Sequence, residues 1–413
     1  MDEIEIPSYF LCPISLEIMK DPVTISTGIT YDRQSIEKWL FSQKNNTCPV
    51  TKQVVIGSEL TPNITLRRFI QSWCTLHAPD GVKRLPTPKA PISKTQLLKL
   101  FNDAKSPNMQ MKCLQRLRSI ASHNEANKRF METAGTAEFL ASLIVKKDVE
   151  ASSAEVSEDV IELRRASNEA LSILYHLQLS GSGLKSLLES NIELIESLTS
   201  IMQSGNYDSR AYAVMLLKSM FEVADSNQPI NLRTDFFLEL VDILNDQISQ
   251  TASKATLETL ISVCPWGRNR IKAVEAGAVP LLIDLLLDSS DKRASELMLM
   301  VLDLLCQCAE GRAELLNHSA GLAIVSKKIL RISSAANKSG IKILHSISKF
   351  SATPGVLQEM LQIGAVTKLC LVLQVFDRGS KTKEKAREIL KLHARAWRNS
   401  SCIPTHLLAS YPS

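Results

Sequence analysis

Three stretches in the second half of the chain repeat one pattern: a run of mixed charged and apolar residues, a glycine, and then an aliphatic run. In residues 269–282 the pattern centres on Gly277, in 312–325 on Gly321 and in 357–369 on Gly364, so successive glycines lie 44 and 43 residues apart. The same period extends back to Thr234, ahead of Phe236, and to Asn191, ahead of Ile192. A first unit starts at Ala134-Gly135, 56 residues before Asn191, and the surplus fits an insertion near 146–162. A glycine between two helical runs can end the first helix in a left-handed cap before the next begins. One such unit cannot bury its apolar face alone, so the units must stack, which commits most of the chain to an all-helical array.

A period of about 43 residues built from helix–Gly–helix units is the signature of armadillo and HEAT arrays. The expected architecture is an all-α superhelix of about six units over residues 94–398, with residues 399–413 as a tail. The insert at 146–162 carries Asp148, Glu150, Glu155, Glu158, Asp159 and Glu162 among small residues, and reads as a mobile acidic loop on one edge. Arrays of this kind bind partners in a groove. Polar residues on the third helix of each unit are the candidates to line it: Asn168, Arg210, Lys254, Glu296, Lys338 and Lys385. Residues 378–398 hold eight basic and two acidic residues and read as a last, capping helix. A second reading makes that run a nuclear-import or anionic-lipid contact.

Proline separates this array from a small N-terminal domain. Nine of the sixteen prolines lie in the first 91 residues, and Pro79, Pro86, Pro88 and Pro91 crowd residues 78–93, an extended linker. Residues 1–77 read as an α+β domain. Residues 22–28 form a short strand ending in a turn, and Asp32 caps a helix through Ile36, Trp39 and Leu40. Asn63 caps a second helix with Leu66, Phe69, Ile70 and Trp73 on one apolar face.

Within this domain, residues 10–51 keep the spacing of a cross-brace zinc finger and lack its ligands. The eight ligand positions fall on Cys12, Ser15, Thr27, Ile29, Asp32, Ser35, Cys48 and Thr51. Two thiolates cannot close one tetrahedral zinc site, let alone two. The expectation is therefore a metal-free domain whose polar residues, Ser15, Thr27, Asp32, Ser35 and Thr51, replace the zinc with buried hydrogen bonds. Glu17, Lys20, Asp21, Arg33 and Lys38 stand ready to add ion pairs.

Composition narrows the function classes. A net charge of +5 over 413 residues calls for neither a nucleic acid nor a membrane partner. The N-terminus lacks the apolar core of a secretory signal, and the most apolar stretch, residues 276–287, is too short to span a bilayer. The nine cysteines are expected to be reduced thiols, and Cys306 and Cys308 have no partner in sequence that suggests a metal.

The stretch from Phe10 through Cys12-Pro-Ile-Ser, the run from Gly28 through Trp39, Cys48-Pro-Val-Thr, and Thr61-Pro-Asn through Trp73 together resemble the U-box of plant U-box/armadillo ubiquitin ligases. The small N-terminal U-box with a Pro-rich link directly after it is most similar to the stress- and immunity-associated branch. This resemblance implies an E3 ubiquitin-protein ligase that binds a ubiquitin-charged E2 and needs no cofactor. Leu11 and Ile14 would offer the first E2-binding loop, Trp39 the helix, and Pro49 and Val50 the second loop. Many such ligases place an arginine after the last box to hold the ubiquitin tail. Lys52 stands there, and it lacks the planar fork. The resemblance further implies no covalent ubiquitin on the ligase, a protein substrate on the repeats, a homodimer through the U-box, and a cytoplasmic place of action, with nuclear or membrane-peripheral sites as variants. The competing readings are an armadillo scaffold or import-type adaptor with a degenerate, inactive U-box, and a chaperone-linked quality-control factor.

Overall fold

The computed structural model describes residues 6–42, 45–55, 60–77, 93–123, 125–145, 158–190, 193–224, 231–377 and 379–397. The predicted linker at 78–93 lies outside them except for Ser93, as does the tail at 399–413. The chain divides into two compact units, residues 1–140 with 176–179, and residues 141–175 with 180–413.

The N-terminal domain is built on a three-stranded antiparallel sheet in the order β2-β1-β3, with β1 at Pro22–Thr24, β2 at Thr30–Asp32 and β3 at Thr61–Pro62. Val23 pairs with Tyr31 on one side and Pro62 on the other. The predicted strand is thus shorter than residues 22–28: Ile25 accepts the Gly28 N–H at 2.9 Å, and Gly28 turns the chain with φ +81° into β2. Helix α1, Arg33–Glu37, follows β2 and passes into a π-helical turn at Lys38–Ser42 that carries Trp39.

Helix α2, Ile64–Leu76, begins where the Asn63 side chain accepts the Leu66 N–H at 3.0 Å. Its inner face differs from the expected one. Ile70 and Cys74 are buried, Leu66 and Trp73 pack on the core, and Phe69 is 62% exposed. The core gathers Phe10, Cys12, Val23, Tyr31, Ile36, Leu40 and Cys48 with these residues.

The rest of the chain is helical. In the first unit, Ser93 opens α3 (Lys94–Asp103) with a capping box, followed by α4 (Pro107–Ala121) and α5 (Glu125–Thr133). Next come α6 (Thr136–Val145) and α7 (Glu158–His176). The acidic insert is therefore shorter than 146–162. Glu158, Asp159 and Glu162 belong to α7, and residues 146–157 lie outside the described residues. The later repeats are α8 (Gly181–Ser190), α9 (Glu193–Ser204) and α10 (Tyr207–Val223), then α11 (Thr234–Asp246) and α12 (Gln250–Val263). They continue with α13 (Asn269–Glu275), α14 (Ala278–Asp288) and α15 (Lys292–Leu305), then α16 (Ala309–Asn317), α17 (Gly321–Lys328) and α18 (Ser334–Phe350). The last is α19 (Pro354–Gln362), α20 (Ala365–Val375) and α21 (Lys381–Leu392). A short α22 (Ala394–Trp397) follows, so the basic run at 378–398 is two helices where one was expected. Third helices stack directly, α10 on α12, α12 on α15, α15 on α18 and α18 on α21.

Three of the repeat glycines serve as predicted. Gly135, Gly277 and Gly364 adopt φ +85°, +85° and +72° before α6, α14 and α20. Gly321 does not. It opens α17, and a Cβ there would lie 2.0 Å from the Leu315 carbonyl oxygen, so close approach of backbone excludes a side chain. The step between repeats is sealed by buried polar side chains. Asn269 Nδ2 donates to the Val263 carbonyl at 3.1 Å, and Arg312 donates to the Cys306 carbonyl at 3.1 Å and to Ser351 Oγ at 3.0 Å. Such bonds satisfy carbonyls that a helix C-terminus leaves without partners. Cys308, half-buried, accepts the Gly311 N–H at the start of α16 and serves as a cap. Among the described residues no single helix is long and apolar enough to cross a membrane.

Candidate functional site

The two Cys-Pro boxes fold alike. Leu16 N–H donates to the Cys12 carbonyl at 2.8 Å, and Lys52 N–H donates to the Cys48 carbonyl at 3.0 Å. Cys12 N–H and Cys48 N–H each donate across the loop, to Glu17 and Gln53 carbonyls, both at 2.8 Å. Leu16 and Lys52 both take left-handed conformations, with φ +58° and +60°. One backbone turn is thus used twice, and it places Pro13-Ile14 and Pro49-Val50 at equivalent points. Bridges between Leu11 and Ile18 and between Thr47 and Val54 close the two loops at their bases.

Hydrogen bonds converge on each cysteine sulfur, and they follow the alternating pairing of a cross-brace. In the first cluster Cys12 Sγ accepts the Asp32 N–H at 3.3 Å, while Asp32 Oδ1 accepts the Lys20 and Asp21 N–H groups at 2.8 and 3.0 Å. Asp32 thus bonds to the loop, and its side chain does not cap α1, although the residue stands at the cap position. Arg33 pairs with Asp21 at 2.6 Å and Arg67 approaches the same carboxylate at 3.7 Å, tying α1 and α2 to the first loop. In the second cluster Cys48 Sγ lies 3.0 Å from Tyr31 Oη and accepts the Thr51 N–H at 3.4 Å, and Tyr31 Oη accepts the Val50 N–H at 3.3 Å.

Burial is the largest influence on the Cys48 thiol and pushes it up. The hydrogen bonds of Thr27, Thr51 and Tyr31 outweigh it and bring the thiol down to about 6. Burial, reinforced by the bond to Cys48, pushes the Tyr31 phenol far above its ordinary value. On α1, burial raises the Glu37 carboxyl, with Arg33 at 3.8 Å opposing it.

The sequence-derived network needs correction at one of its hydroxyls. Ser15 is exposed, so its hydroxyl supplies no buried bond. Thr51, although exposed, serves Cys48 through its hydroxyl and its backbone N–H, and the buried Thr27 hydroxyl acts on the same sulfur. Ser35 is half-buried on α1. Tyr31, absent from the zinc pattern, joins Thr27 and Thr51 in the second cluster. Of the five charged residues named for ion pairs, Asp21 and Arg33 form one, and Arg67 joins them unforeseen.

Around these clusters the apolar positions fall into two groups. Ile14 and Trp39 are half-buried and pack on the core, as does Ile18. Trp39 Nε1 donates to the Thr47 carbonyl at 2.8 Å, which fastens the helix to the second loop. Leu11 and Pro49 are half-buried. Val50 is 52% exposed and Leu16, which the sequence reading missed, is 75% exposed. Lys52 is exposed beside Val50. The face can dock an apolar partner surface, and both cysteines lie fully buried beneath it, out of reach of an acyl group.

A double-cluster finger carrying an apolar two-loop face, with stacked three-helix repeats in the same chain, defines a U-box/armadillo protein. Residues 6–78 match the family described as the U-box domain, and residues 95–413 match the plant U-box protein ARM repeat region. The chain is 55% identical to the E3 ubiquitin-protein ligase PUB23 of Arabidopsis thaliana, covering 100% of this chain and 98% of that one. It is equally 55% identical to the E3 ubiquitin-protein ligase PUB22 of the same plant, over 100% and 99% of the two chains. Among solved structures, one reported for a phosphorylation switch between cadherin and β-catenin covers 80% of this chain and 58% of its own, with a TM-score of 0.57 at 12% identity, a likeness of fold alone. The chain belongs to the plant U-box/armadillo family of E3 ubiquitin-protein ligases.

The expected groove residues sit where predicted, on third helices, but three of them are occupied. Arg210 pairs with Asp246 at 2.7 Å, Lys254 with Asp291 at 3.4 Å, and Glu296 accepts from Ser333 Oγ and Arg293. Each reaches the next repeat, so these side chains brace the stack. Asn168 is half-buried on α7. Among the described residues no carboxylate pairs with Lys338 or Lys385.

Proposed function

We propose that the U-box docks a ubiquitin-charged E2 on Leu11, Ile14, Trp39, Pro49 and Val50, while the repeats hold a protein substrate. The observation that carries this reading is the pair of equivalent loops, joined through Trp39 and Thr47, which presents aliphatic side chains on a rigid base. The substrate lysine attacks the thioester carbonyl on the E2, the carbonyl carbon gains the amide bond, and the E2 thiolate leaves. The ligase contributes proximity and orientation, which is consistent with buried Cys12 and Cys48. Lys52 donates to the ubiquitin tail as a point charge. The domain layout is a U-box over 1–77, a linker over 78–93, repeats over 94–398 and a tail over 399–413. The protein acts as a homodimer through the U-box, in the cytoplasm, in plant stress or immune signalling. The basic residues of α21 support a secondary nuclear or membrane-surface placement.

Single-turnover discharge of an E2–ubiquitin thioester onto free lysine tests the docking face. The wild-type chain is expected to accelerate discharge, and Val50→Asp to remove at least about 90% of that acceleration, because a desolvated carboxylate against an apolar E2 loop costs several kcal/mol. Val50 is half-exposed, so this variant keeps its fold. Undiminished discharge by Val50→Asp and by Ile14→Ala overturns the assignment of this face.

A further inference from the structure

Along α18 the basic residues Lys338, Lys342, His345 and Lys349 follow at spacings of four, three and four, which places them on one helical face. That face points away from the core, because Ile341, Ile343, Leu344 and Ile347 are buried on the other. On the neighbouring α21, Lys381 and Lys385 repeat the pattern. The acidic groups facing this stripe are few. Asp303 on α15 pairs with Lys342 at 2.9 Å, and Glu388 on α21 pairs with His345 at 2.9 Å. Lys338 and Lys385 also act on the buried Asp303 carboxylate from farther away. One carboxylate thus meets three ammonium groups.

At the equivalent register of the earlier repeats, Arg210, Lys254 and Glu296 are consumed in bonds to the following repeat. At the last two repeats the same register holds Lys338 and Lys385, and no such bond forms among the described residues. The positive charge of Lys338 and Lys385 is therefore left over from the architecture, whereas Lys342 braces the stack through Asp303.

We propose that the third-helix face of the last two repeats, centred on Lys338 and Lys385, docks an extended acidic peptide segment of a protein substrate. The commitment to an acidic occupant follows from charge complementarity. Lysines held side by side on two packed helices attract a chain of carboxylates more strongly than one isolated lysine does. The proposal rests on the repeats being the substrate-holding half of the ligase.

Fluorescence anisotropy on the full chain tests it with a fluorescein-labelled dodecapeptide of alternating Glu and Gly. Parallel arms use the same peptide with Lys for Glu, and with phosphoserine at alternate Glu positions. The Glu peptide is expected to bind saturably and to weaken with added salt, while the Lys peptide stays unbound. Tighter binding in the phosphoserine arm would assign the phosphorylated form of the acidic segment. Lys338→Glu/Lys385→Glu is expected to lose at least about tenfold in affinity for the Glu peptide and to gain binding of the Lys peptide. Lys292→Glu, an exposed lysine at the start of α15, is expected to change neither. The reversal of preference separates recognition from loss of fold. Absent binding of the Glu peptide, or equal binding by wild type and the double variant, overturns the proposal. E2-dependent discharge onto free lysine is expected to be unchanged in the double variant. A wild type that binds the Glu peptide but promotes no discharge would leave the docking site standing and defeat the ligase reading instead.

Discussion

The Cys48 sulfur, fully buried, faces the Tyr31 hydroxyl at 3.0 Å and the Thr51 N–H at 3.4 Å. Its folded value near 6 lies below the ordinary thiol value of about 8.5. The thiolate therefore adds stability that is fully present above the unfolded value, fades as pH falls, and is gone once pH passes below about 6. The ultraviolet thiolate absorbance of wild type minus Cys48→Ser is expected to titrate with a midpoint near 6; a midpoint at the ordinary thiol value contradicts the cluster. Tyr31→Phe removes one donor to the sulfur and orphans the Val50 N–H, so it is expected to raise that midpoint and to cost about 1–2 kcal/mol in denaturant unfolding. The sequence located this cluster without showing how it works. Cys12, Cys48 and Asp32 stand at ligand spacing and are used, but spacing cannot tell which hydroxyls turn inward. Ser15 faces solvent, and Tyr31, which reads as a strand aromatic, joins Thr27 and Thr51 around the Cys48 sulfur.

The two Cys-Pro loops show which local features a sequence reveals. Cys12-Pro-Ile-Ser and Cys48-Pro-Val-Thr are visibly alike, and they fold alike. The left-handed residues that complete both turns are Leu16 and Lys52, which no propensity singles out because glycine is the usual occupant. Lys52→Arg keeps that turn and restores the planar fork, so it is expected to speed discharge of E2–ubiquitin several-fold with E2 affinity unchanged; an unchanged rate removes Lys52 from the ubiquitin-facing role. Strands of three residues, such as β2, are too short to carry a period, and β2 was accordingly missed. On α2, Phe69 and Ile70 compete for one apolar face, and the place in the core goes to Ile70. Among repeat glycines, Gly277→Ala forces a side chain into φ +85° and is expected to cost about 1–2 kcal/mol in thermal or denaturant unfolding, while an exposed alanine substitution elsewhere on α14 is neutral.

For the whole molecule, the period of about 43 residues was legible because every unit repeats the same buried face. The braces between units were not, because each joins a third helix to a residue some 40 positions away. Examples are Lys254 with the α15 cap residue Asp291, and Lys342 with Asp303. Arg312 is buried and bonded to Cys306 and Ser351, and Arg312→Ala is expected to destabilise the array by about 2–4 kcal/mol without altering the U-box. The central claim joins the two ends of the chain: a U-box that keeps its shape through hydrogen bonds and delivers ubiquitin from an E2. Reconstituted ubiquitination with E1, a panel of E2s, ubiquitin and the purified full chain, run with and without a strong zinc chelator, tests it most directly. Polyubiquitin chains that form equally with chelator, and that vanish with Ile14→Ala and Val50→Asp, are the predicted result. A wild type that makes no chains with any E2, or chains that the chelator abolishes while E1 and E2 still form their thioesters, would contradict it.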